Sequence, residues 1–211
     1  MTELITYRGG SCGDFVRGLL VSNGKIDNNG KYSNVTYHDY TRFAFDLIRG
    51  MDDIPSIINK IKKERNKYPN IPKEIITSHD YYVFMERYGN ASEFFKYIEE
   101  LDITRILYIS VTTDKSLRLR TLNSLVKNHG KGYDDYIEHY DKYGIYQLEQ
   151  YRNEAKIYLD SKRKSDIMLE LECIYDKEYL RNFLLENYNW SDSNYDAIYD
   201  AYMSKQPRIG D

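Results

Sequence analysis

Leu4-Ile5-Thr6-Tyr7-Arg8-Gly9-Gly10-Ser11-Cys12-Gly13-Asp14-Phe15-Val16-Arg17-Gly18-Leu19-Leu20 is the stretch on which the fold turns. Leu4 to Tyr7 is a β-prone run, Gly9 and Gly10 break it, and Phe15, Val16, Leu19 and Leu20 resume at helical spacing. The pattern predicts a strand, a tight turn and a helix. Glycines in such a turn let backbone N–H groups point inward, with a helix N-terminus behind them that favours an anion. Asp14 at the helix start repels a phosphate at close range unless it caps the helix and points away.

Downstream, helix and strand patterns alternate. Asn23 to Asn34 reads as a Gly/Asn-rich loop and Thr41 to Arg49 as helix. Asp52 or Asp53 can cap a helix with Pro55 in its first turn, an isoleucine stripe on one side and Lys60, Lys62, Lys63 and Arg65 on the other. Glu74 to Thr77 is a brief strand ending at Ser78-His79-Asp80, with Asp80 placed to cap a tyrosine-rich helix. A helix from Ser92 to Leu101 leads into the clearest buried strand, Arg105 to Val111, after which Asp114 can start a long helix. Gly130 to Lys164 is helical and polar, and Gly144 is expected to divide it into two helices. Ile167 to Leu171 is the last strand, followed by helices over 176–186 and 192–205. This alternation predicts an α/β fold: a three-layer parallel sheet of about four to five strands flanked by helices, in a single domain over 1–211.

Composition narrows the function classes. A chain of 211 residues can bury a core without disulfide or metal staples, and Cys12 and Cys173 fit neither a disulfide framework nor a metal knuckle. A net charge of −3 opposes extensive nucleic-acid binding. The chain lacks a long apolar run, and Met1 to Leu4 lacks a signal-peptide profile, so a cytoplasmic protein with no membrane partner is expected. His38, His129 and His139 have no paired ligand spacing, and no metal site is expected. The 23 tyrosines fit core and rim packing better than stacking on single strands. Their stripe along Tyr133, Tyr136, Tyr140 and Tyr143 could hold a protein partner or a second copy of the chain.

In parallel α/β sheets ligands gather at the carboxyl ends of strands. Those places hold Gly9 to Asp14, then His79, then Thr112 and Thr113 with the arginines that follow, and finally Glu170, Glu172 and Cys173. Cys12 at a helix N-terminus, with His79 to serve it, is a lesser nucleophile candidate. The turn lacks the Lys-[Ser/Thr] of a Walker A motif, which opposes a kinase-like reading.

The order of these elements over nearly the whole chain resembles the sulfotransferase family of P-loop folds. The resemblance rests on the N-terminal strand and loop, Thr77-Ser78-His79, Arg105-Ile106-Leu107-Tyr108-Ile109-Ser110 before an Arg-bearing helix, and Leu169-Glu170-Leu171-Glu172 before Tyr179-Leu180-Arg181-Asn182-Phe183-Leu184. The closing Asp196 to Gln206 looks like the terminal helix of small bacterial and phage-borne members. The resemblance implies sulfuryl transfer from 3′-phosphoadenosine 5′-phosphosulfate to a small-molecule or glycan acceptor. It places the anion at Gly10, Ser11, Cys12 and Gly13 and a general base at His79, with Ser116, Arg118 or Arg120 substituting as further phosphate contacts only after a shift of register. Departures are visible too: Ser11 stands where the family has Lys or Arg, Asp14 where it has Thr, and Val111 and Leu119 where it has Arg and Ser on the 3′-phosphate. Arg8, Arg17 or a lysine would have to fold in to supply the missing cation. A second reading therefore stays open, a catalytically inactive relative used for binding or assembly, as in a virus.

Overall fold

The computed structural model describes residues 2–20, 25–26, 32–33, 55–56, 59, 63, 75–78, 92–100, 102–190 and 193–206. Strands are β1 (Thr2–Tyr7), β2 (Lys25–Ile26), β3 (Tyr32–Ser33), β4 (Ile75–Ser78), β5 (Ile103–Ser110) and β6 (Ile167–Glu170). Helices are α1 (Gly13–Leu20), α2 (Ser92–Glu100), α3 (Asp114–Leu122), which continues as a π-helix over Asn123–Asn128, α4 (Tyr133–Ser161), α5 (Leu171–Ile174), α6 (Lys177–Tyr188) and α7 (Tyr195–Met203).

The main sheet runs β4-β1-β5-β6, and every neighbouring pair is parallel. The fold is thus α/β, with a parallel sheet flanked by helices. Strand alternation sends residues to opposite faces. Ile5, Tyr7, Leu107, Ile109 and Leu169 form one core with Phe15, Val16 and Leu19 of α1, Leu180 and Leu184 of α6, and Tyr195 and Tyr199 of α7. Leu4, Ile106 and Tyr108, of the opposite parity, are also buried. On that side Tyr158 of α4 lies 4.8 Å from the Tyr108 ring and 6.5 Å from Phe95 of α2.

Sequence order places β4 and β5 on opposite sides of β1, so the connections diverge at the carboxyl ends of β1 and β5. A crevice at such a switch point is where an α/β sheet offers room for a ligand. The Gly-rich turn and Thr112-Thr113 both stand there.

One expected boundary fails. Gly144 does not divide Gly130 to Lys164: α4 is a single helix of 29 residues. Glycine costs a helix about 1 kcal/mol, and tertiary packing outweighs it here. Gly144 is buried, and a Cβ on it would stand 3.3 Å from the Tyr140 ring. Leu171, expected at the end of β6, instead opens the short helix α5. The loop Asn23 to Asn34 and the Asp52 helix are described only in part, with Pro55, Ser56, Asn59 and Lys63 helical. The Thr41–Arg49 helix, His38, His79, the helix after Asp80 and the tail 207–211 lie outside the described residues. Among the described residues no helix is long and apolar enough to cross a membrane.

Candidate functional site

The turn between β1 and α1 packs against the end of α3 and the start of the π-helix. Gly10 (φ 89°) and Cys12 (φ 59°) both take the left-handed conformation that opens such turns. A Cβ on Gly10 would meet the Arg120 carbonyl oxygen at 2.7 Å and the Ser124 amide at 3.3 Å. Glycine is therefore needed because the end of α3 packs on the turn. Asn123, the first residue of the π-helix, donates from Nδ2 to the Gly10 carbonyl at 2.9 Å and to the Tyr175 hydroxyl at 2.8 Å. The same nitrogen lies 3.6 Å from Cys12 Sγ. Burial, with the Cys12 thiol beside it, pushes the Tyr175 phenol far up and keeps it protonated.

Gly13 answers a different constraint. A Cβ there would stand 2.1 Å from the Tyr7 ring, which lies across the first turn of α1. The Tyr7 hydroxyl donates to Asp14 Oδ1 at 2.7 Å and so holds the acidic residue at the helix start. Ser11 is fully buried, and its Oγ has no hydrogen-bond partner among the described residues.

Arg8, one of the cations expected to fold into the turn, is already engaged. Arg8 is 8% exposed and donates from Nε to Glu154 Oε2 at 3.1 Å, while a second guanidinium nitrogen binds Oε1. Glu154, on α4, is 4% exposed. The Arg8 guanidinium also stacks 4.2 Å from the Tyr151 ring. Arg17 is fully buried within α1.

Across the crevice, Glu170 ends β6 and gathers the end of β5. It accepts from Ser110 Oγ at 2.7 Å, the Thr112 amide at 2.7 Å and Thr112 Oγ1 at 2.8 Å. Glu172 accepts from Thr113 Oγ1 at 3.1 Å, and Thr113 in turn caps α3 by accepting from the Ser116 amide.

The sequence-predicted residues separate into two groups. Gly10, Ser11, Cys12 and Gly13 are together, and Arg120 reaches them through its carbonyl, its guanidinium lying 5.4 Å from Tyr151. Ser116 is buried and accepts the Glu172 amide at 3.1 Å. Arg118 points elsewhere, pairing with Asp114 at 2.8 Å and stacking 4.4 Å from Tyr140. Helical geometry explains the split: residues four apart share a face and residues two apart do not. Glu154, Asn123 and Tyr175 were not anticipated. For Glu154 a signal existed, since it lies beside Ala155 on the buried stripe of α4 through Tyr151 and Tyr158.

No family model, no curated protein and no solved structure matches this chain.

Proposed function

We propose that this chain is a sulfotransferase-like α/β protein that serves in binding or assembly rather than in sulfuryl transfer. The observation that carries this reading is the buried Arg8–Glu154 pair. A departing adenosine bisphosphate needs a cation at the turn, and Arg8 is the side chain next to it. Withdrawing Arg8 would take the cation from the buried Glu154 carboxylate, which keeps the Gln150 amide at 3.3 Å, at a cost of about 3–5 kcal/mol. A charged hydrogen bond to phosphate returns about 1.5–3 kcal/mol. The exchange is unfavourable.

Sulfuryl transfer from 3′-phosphoadenosine 5′-phosphosulfate to a small-molecule or glycan acceptor is the second reading, and the orphan Ser11 hydroxyl favours it. Thermal-shift titration with 3′-phosphoadenosine 5′-phosphate and with ATP separates the two. A ligand at a hundred times its Kd adds about 2.7 kcal/mol, a rise of roughly 5–10 °C for a chain of this size. The expected result is no shift with either nucleotide. A rise with the adenosine bisphosphate alone, lost in Ser11→Ala, overturns the proposal in favour of transfer.

A further inference from the structure

The outer face of α4 carries exposed residues whose spacing is the same from both ends, with opposite charges at two of the mated positions. Ile145 and Tyr146, at its middle, are 81% and 71% exposed. Moving toward the N-terminus from Ile145, the exposed residues on that face are Lys142, Glu138 and Asp135, at steps of 3, 7 and 10. Moving toward the C-terminus from Tyr146, they are Glu149, Asn153 and Lys156, at the same steps of 3, 7 and 10. The alternating three- and four-residue spacing keeps all of them on one side of the helix. Every one is exposed, and none of the five charged members forms an ion pair with a described residue.

We infer that this face is a self-association seam, on which α4 packs antiparallel against α4 of a second copy of the chain. A two-fold axis between Ile145 and Tyr146 sets Ile145 of each copy beside Tyr146 of the other. The same axis sets Lys142 opposite Glu149 and Asp135 opposite Lys156, and two-fold symmetry makes each pairing twice. Glu138 meets Asn153, so no like charges face each other. A parallel arrangement would place each residue beside its own copy, Lys142 against Lys142 and Glu149 against Glu149. The charges thus select the antiparallel partner, and the partner is this same chain. Over Asp135 to Lys156 the seam is about 32 Å long at 1.5 Å per residue.

Isolated exposed apolar residues are common on protein surfaces; the opposed charges are what distinguish this face. The apolar centre is small, so the contact is a weak one that depends on charge and on salt. It is independent of the crevice, because an active transferase could carry the same seam.

Sedimentation velocity over a range of protein concentrations tests it, at about 0.01 M salt, where charges act over about 30 Å, and at about 1 M, where they act over about 3 Å. The expected result is a monomer–dimer equilibrium at low salt that weakens at least about tenfold at high salt, a change of about 1.4 kcal/mol. Lys142→Glu weakens the low-salt dimer by a similar factor, and adding Glu149→Lys to it restores the association. Ile145→Asp abolishes the dimer with an unchanged melting temperature, as its exposure requires. A protein monomeric at every concentration, or a dimer indifferent to Ile145→Asp or to the charge swap, overturns the inference.

Discussion

Arg8 and Glu154 lie 146 residues apart in the chain, and each makes the other's burial tolerable. Removing one charge strands its partner, whereas replacing both with apolar groups of similar size is close to neutral. Glu154→Gln is therefore expected to destabilise the fold by about 3–5 kcal/mol, read as a lower urea midpoint. Arg8→Met combined with Glu154→Leu should recover most of that loss. Gly13 makes a steric statement instead. Gly13→Ala drives a methyl into the Tyr7 ring and should cost about 1–3 kcal/mol, with much of the loss relieved in a Tyr7→Leu background. If the alanine were as costly in that background as beside the tyrosine, the ring would not be the constraint.

Elements show where local signals and packing disagree. Gly144 is a poor helix residue and reads as a break, yet α4 passes through it under the Tyr140 ring. Gly144→Pro tests the continuity: a hinge between two helices would accept proline, but an uninterrupted helix loses about 3 kcal/mol or more. Far-UV circular dichroism and urea unfolding report the difference. At the start of α3 the cap is Thr113 rather than Asp114. Thr113→Ala removes both that cap and the bond to Glu172, and a loss of about 1 kcal/mol is expected from the cap alone.

For the whole molecule, β1, β5 and α6 meet at Glu3. Burial pushes the Glu3 carboxyl above its ordinary value, and the Arg105 guanidinium 3.2 Å away only partly offsets this. Arg105 also donates to the Asn187 carbonyl at 2.8 Å and stacks on Tyr188. A carboxyl raised in the folded state favours folding while protonated, and that contribution is lost as pH rises through its folded value. The stability of the wild type relative to Glu3→Gln should therefore fall as pH rises from about 4 to about 7. A flat difference across chemical denaturation at several pH values would remove burial as the dominant cause.

Period and punctuation determined the α/β class and the sites of β1, β5, β6 and their following helices, because alternating apolar residues and glycine breaks are local properties of the chain. They also located the Gly9–Asp14 turn between β1 and α1. What that turn contacts was decided only in three dimensions. Glu154, Asn123 and Tyr175 reach it from more than a hundred residues downstream, and each acts through packing that no local pattern encodes. Left-handed glycine geometry serves a bound anion and a close helix backbone equally well. The Arg120 carbonyl over Gly10 and the carboxylate on Arg8 are the contacts that support the second use proposed for this turn.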